Sequence, residues 1–155
     1  MLIGLISDTH GLVRPTVHAA LAGVELILHA GDVGSQDVLD ELSLIAPVRA
    51  VLGNTDDAFA LHLPTALDLE LGGLRIHVSH GHELGRPKPA ALAAAYDADV
   101  IVYGHTHVQM IETVGRTLVV NPGAAGAKRF ALPATCARLT IEERSASATL
   151  VTLAL

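Results

Sequence analysis

Short apolar runs punctuate the first third of the chain. Residues 2–6, 24–29 and 47–52 are rich in Leu, Ile and Val, and each reads as a strand buried on both faces. The segments between them carry helical signals. Pro15 suits a first helical turn and Gly23 a C-terminal cap, which predicts a helix from about residue 14. Ser35 can cap a second helix whose Val38, Leu39, Leu42 and Ile45 share one face, with Asp37, Asp40 and Glu41 toward its positive end. This βαβαβ alternation implies parallel strands whose C-terminal tips line one sheet edge, where open α/β sheets place their ligands.

Beyond residue 60 the pattern changes. Residues 67–71 and 74–79 flank a Gly72-Gly73 turn and read as a β-hairpin. Pro89 opens an Ala-rich helix that ends near Asp97, and the run 100–103 is another buried strand. Residues 108–113 and 117–120 flank a tight turn at 114–116, and alternating strands follow near 135–142 and 147–155. A parallel half and an antiparallel half predict two sheets packed face to face, each covered outside by helices.

Composition narrows the function. The chain has 155 residues, 50% of them apolar and 17% charged, enough for one domain with a sizeable core. A net charge of -6 and the scarcity of aromatic residues argue against a nucleic-acid face or a base-stacking platform. The start of the chain has neither the basic flank nor the length of a secretory signal, and no run approaches a membrane span. With a single Cys136, a cytoplasmic location is expected. Nine His against two Phe, two Tyr and no Trp is a balance that packing does not require.

The strand tips show where histidine is used. The runs end in Asp8 and His10, in Asp32, in Asn54, in His80, and in His105 with His107. Asp or Asn beside Gly is ordinary turn chemistry taken singly. Independent turns have no reason to place Asp, Asn or His at five strand ends. Seven oxygen and nitrogen donors exceed what one tetrahedral ion needs and suit two divalent ions that share the Asp32 carboxylate. Such a centre leaves a locally positive pocket in an acidic protein, attractive to phosphate. A metal-bridging hydroxide could then attack phosphorus in line, with no Ser or Cys nucleophile. Mn, Fe, Co, Ni and Zn all accept these donors.

Asp8-x-His10, Gly31-Asp32, Gly53-Asn54, His80 and Gly104-His105-x-His107 resemble the motif series of the calcineurin-like metallophosphoesterases. Ser79-His80-Gly81-His82 and Asn121-Pro122-Gly123 resemble more narrowly the small phosphodiesterase branch typified by YfcE and related to Vps29. The resemblance implies an α/β/β/α four-layer sandwich of two mixed sheets. It also implies a first ion on Asp8, His10, Asp32 and His107, and a second on Asp32, Asn54, His80 and His105, with manganese foremost among the metals. The activity implied is hydrolysis of small phosphodiesters, with no stable nucleic-acid complex and no membrane.

The chain departs from that pattern at Thr55 and Ser35, where many relatives carry a His acid and the Asp that orients it, and at Ala124, where Ser is common. Without that acid, esters with stable leaving groups are favoured; Asp56, His82 or metal-bound water are the remaining proton donors. His82 is the catalytic candidate. His29 is a candidate to orient a ligand from behind, while His18, His62 and His77 read as surface or satisfied core residues. Arg14, Arg86, Lys88, Lys128 and Arg129 are candidates to frame the cleft. Rival readings are a non-catalytic scaffold of the Vps29 kind, a phosphomonoesterase or a nuclease. The apolar strand from Ala148 offers a surface for a homo-oligomer.

Overall fold

A computed structural model describes residues 1–127 and 131–153. In chain order the elements are β1 (Leu2–Ile6), α1 (Thr16–Ala20), β2 (Leu26–His29), α2 (Gln36–Ser43), β3 (Val48–Ala50), β4 (Ala66–Leu71) and β5 (Leu74–Ser79). A 3-10 turn (His82–Leu84), α3 (Pro89–Ala95), β6 (Val100–Val102), β7 (Met110–Val114), β8 (Thr117–Asn121), β9 (Thr135–Glu142) and β10 (Ser145–Thr152) follow. None of these helices is long and apolar enough to cross a membrane.

Two five-stranded mixed sheets result, ordered β10-β9-β1-β2-β3 and β4-β5-β6-β8-β7. The chain is not divided into a parallel and an antiparallel half. The terminal hairpin returns to the first sheet, where β9 pairs antiparallel with β1, while β5, β6 and β8 run parallel in the second. Each interior strand has one face for each layer. In β1, Ile3 and Leu5 enter the core between the sheets with Ile76, Val78, Val100, Val102, Leu139 and Ile141. Ile6 faces the opposite way, onto Val17 and Leu21 of the first helical segment and Val38 and Leu42 of α2. In the second sheet Ile101 and Tyr103 point outward onto Leu92 of α3. The layers are therefore α/β/β/α, and the apolar runs were continuous because both faces of these strands are covered.

The helices are shorter than the sequence signals allow. Pro15 stands at the N-cap of α1, and the segment after Ala20 leaves the helix well before Gly23. Ser35 occupies the N-cap of α2 but makes no capping bond with its side chain. Conversely β10 starts at Ser145, earlier than its alternation suggests, because a two-residue turn at Glu143 and Arg144 closes the hairpin directly.

Candidate metal centre

The tips of β1, β2, β3, β5 and β6 meet at one edge of the sandwich, and backbone bonds lace their loops together. Asp8 N–H donates to Gly31 O (3.0 Å), His10 N–H to Asp32 O (2.9 Å) and Gly104 N–H to His80 O (2.9 Å). The glycines make this approach possible. A Cβ on Gly53 would overlap the Asp32 carboxylate and backbone, and one on Gly104 would overlap Ser7 Oγ and Asp8 Oδ2. The loops are also strained: Asp8, His10, Asp32, His105 and His107 all have φ between +46° and +67°, a region non-glycine residues enter at a cost.

The donor atoms converge. Asp8 Oδ1 lies 3.2 Å from His107 Nε2 and 3.8 Å from both His10 Nε2 and His80 Nε2. Asp32 Oδ2 lies 3.2 Å from His80 Nε2 and 3.6 Å from His10 Nε2. Asp8, His10 and His107 form one group with donor atoms close enough to share an ion, and Asp8, Asp32 and His80 form another. Proximity alone thus makes Asp8 the common member, whereas the sequence reading shares Asp32. His105 is edge-on to His80, with ring centroids 5.2 Å apart, and exposed Asn54 lies on the cavity wall.

Each carboxylate has one oxygen committed to the protein and one aimed inward. Asp8 Oδ2 accepts from Ser7 Oγ–H (2.6 Å) and His105 N–H (3.1 Å), and Asp32 Oδ1 accepts from Thr55 N–H (3.0 Å). His80 bonds the Ala30 carbonyl through Nδ1 (2.8 Å), so that nitrogen carries the hydrogen and Nε2 faces the site. Asp8 Oδ1 and His80 Nε2 are buried yet make no hydrogen bond to the described residues. Buried polar atoms left so in a laced site fit a divalent cation, and the oxygen and imidazole donors suit one.

The charges agree with this. Burial works against ionising Asp32, but the His80 ring and the Thr55 N–H outweigh it and hold the carboxyl well below its usual range. Burial also opposes charge on His80, and Asp32 and Asp8 reverse the balance in favour of the imidazolium. A cation bound there competes with that proton.

A cavity of about 300 Å³ opens over the centre, lined by His10, Asp32, Asn54, Thr55, Arg86, His105, Thr106, His107, Val108 and Leu132. His82 is outside this lining. Its ring stands 5.4 Å from that of His80 and 6.1 Å from that of His105, centroid to centroid, and it borders a separate cavity with Glu83 and Tyr96. Asp56 is not placed as an acid: its carboxylate accepts from Val33 N–H (3.1 Å), Gly34 N–H (2.9 Å) and Gly53 N–H (2.9 Å), stapling the β2 and β3 loops. The sequence reading does not give Asp56 this role, although Asp side chains in turns accept from backbone N–H groups a few residues away.

His29 orients the loops and not a ligand ring. Gly31 N–H donates to its Nδ1 (3.1 Å), so Nε2 carries the hydrogen and donates to Thr9 Oγ1 (2.9 Å), which donates to Val33 O (2.8 Å). Burial pushes its pKa down to about 4. Among the basic candidates, Arg86 lines the cavity, Arg14 is buried and donates to Gly126 O (3.0 Å), and Lys88 is outside the lining. Lys128 and Arg129 lie outside the described residues. His18 pairs with Glu41 (2.6 Å), His62 is exposed, and buried His77 bonds Asp68 and Ser79, all apart from the centre.

Comparison with known proteins follows the same lines. Residues 1–144 match the model of the calcineurin-like phosphoesterase superfamily domain. A probable metallophosphoesterase of Methanothermobacter thermautotrophicus is 37% identical over 141 residues, spanning 86% of this chain and 82% of the relative. The phosphodiesterase YfcE of Escherichia coli is 32% identical over 158 residues, spanning 86% of this chain and 84% of its own. Among solved structures, wild-type Vps29 of Entamoeba histolytica complexed with zinc superposes with a TM-score of 0.82 at 22% identity, over 99% of this chain and 100% of that one.

Proposed function

The chain belongs to the calcineurin-like phosphoesterase superfamily, and from that premise we propose that it is a metal-dependent phosphodiesterase acting on small phosphodiesters at a dinuclear centre. The observation that carries the reading is the convergence of Asp8 Oδ1 and His80 Nε2, both buried and without hydrogen bonds to the described residues, on the oxygen of Asp32 and the rings of His10 and His107. Asp8, His10, Asp32 and His107 would hold one ion; Asp32, Asn54, His80 and His105 the other. Asp32 Oδ2 stands between His10 of the first set and His80 of the second, which supports its sharing. When bound, two divalent ions supply the positive charge and water activation that in-line displacement at phosphorus needs, and manganese is the first choice.

The chain's own groups do the rest. Ser7 and the His105 N–H hold Asp8, the Thr55 N–H holds Asp32, and the Ala30 carbonyl fixes the His80 tautomer, so the donors meet a cation without reorganising. Asn54 on the cavity wall offers an amide to a phosphoryl oxygen. His82, packed beside the His80 and His105 rings, is a positioning residue and not the proton donor.

Chelator-stripped protein refilled with manganese should hydrolyse bis(p-nitrophenyl) phosphate faster than p-nitrophenyl phosphate. The scaffold reading predicts no turnover with any divalent metal, and that result would overturn the proposal.

A further inference from the structure

The cavity over the centre holds few groups that could meet a leaving oxygen. Setting aside the proposed ligands, its wall is Thr55, Arg86, Thr106, Val108 and Leu132. None of these is a general acid, and Arg86 alone among them carries a charge. Its guanidinium donates one long bond, Nη2 to Thr106 O at 3.4 Å, to the loop between His105 and His107. The head group thereby stands on the cavity wall, and this is the one bond it donates to a described residue. Arg86 is exposed and follows Gly85 at φ +79°, so it approaches from the mouth of the cavity.

We infer that Arg86 stabilises the oxyanion that departs from phosphorus, and that the substrates are diesters whose leaving group is a stable anion, such as an aryl or enol oxygen. This deepens the phosphodiesterase reading and rests on it. A guanidinium gives up no proton, so it acts by charge and hydrogen bonding on an oxygen that leaves as an anion. Water attacks phosphorus and gives up one proton to solvent, the P–O bond to the leaving group breaks with its electron pair on that oxygen, and the departed oxyanion takes a proton back from solvent afterwards. An alkyl oxygen, which needs a proton to leave, finds no side-chain general acid among the described residues of this wall other than the proposed ligands.

The test uses the manganese-loaded protein and methyl aryl phosphodiesters from nitrophenyl to unsubstituted phenyl. Arg86→Ala should lower kcat by roughly tenfold to a hundredfold, in the range of a lost oxyanion donor. The loss should grow toward the phenyl ester, and Arg86→Lys should recover part of it. Metal stoichiometry and urea midpoint should match the wild type, and inorganic phosphate should bind more weakly to Arg86→Ala by calorimetry. An equal loss on every ester, or none, overturns the role of Arg86 while leaving the phosphodiesterase standing. A wild type inactive on all of them overturns both.

Discussion

Two regions of this molecule place non-glycine residues in the left-handed backbone region, for opposite reasons. At the β9–β10 turn, Glu143 (φ +50°) and Arg144 (φ +60°) do so because a two-residue hairpin loop twists that way. At the sheet edge, Asp8, His10, Asp32, His105 and His107 do so in loops that bring their donors to the centre, several of them laced by cross-loop bonds such as Asp8 N–H to Gly31 O and His10 N–H to Asp32 O. The turn could exchange its residues for ones that favour the geometry; the edge cannot, since strain there is the consequence of needing a carboxylate or imidazole where glycine would sit comfortably.

The comparison breaks most visibly at Asp32. Asp32→Ala removes the inward oxygen and the acceptor for the Thr55 N–H together. Activity should fall by more than about a hundredfold, above what losing an outer partner costs, and mass spectrometry should find less than the full metal complement. Next come the glycines. Gly53→Ala drives a methyl into Asp32 and should cost about 1–3 kcal/mol together with metal affinity. Gly115→Ala, in open space at φ +61° on the β7–β8 turn, should cost about 1 kcal/mol and leave affinity unchanged, as isothermal titration would show.

Much of this edge was legible in the chain. Asp8, Asp32 and Asn54 end apolar runs of the βαβαβ half, whose parallel strand tips must share an edge. His80, His105 and His107 join them in the sequence reading only through the recurrence of metal-ligand side chains at strand ends, because their strands read as antiparallel there and run parallel in a second sheet. The laces are not legible. Asp56 reads as a free acid in the sequence, yet three amides from two loops close on its carboxylate. Arg14 reads as a cleft cation, yet it is buried on Gly126 O across 112 positions. Such roles depend on which loops become neighbours, and local propensity carries no information about that. The same gap explains β9, whose alternation says strand but cannot say that it joins β1. Asp56→Ala should therefore lower metal affinity roughly tenfold to a hundredfold without touching a donor.

His29 marks the boundary between lacing and chemistry, and pH exposes it. Its folded pKa, about 4, lies below the unfolded value of 6.5. Between those values the unfolded chain binds the extra proton, so this residue's effect is to lower stability as pH falls through that window, by about 3 kcal/mol in all, and to have no effect above it. Urea unfolding of metal-free protein at about pH 7 and about pH 4.5 should show a smaller difference for His29→Gln than for the wild type. An unchanged difference would mean that the ring is not held neutral by burial.

The smallest effect separates the two kinds of strain most cleanly. Replacing Glu143-Arg144 by Asn-Gly supplies the pair a type I′ turn prefers, in a loop already closed between Glu142 and Ser145. The relief, offset by losing the Arg144 side chain that lies over Gly73, should raise stability by about 1 kcal/mol, read as a shift in urea midpoint with the slope unchanged. This turn lies beside Met1, whose amine bonds Ile141 O, at the end of the sheet remote from the tips. Metal affinity and kcat/KM should therefore stay at wild-type values. If they moved, strain at the two ends would be mechanically coupled through β1 and β9, and the separation drawn between a turn that tolerates its geometry and an edge that requires it would fail.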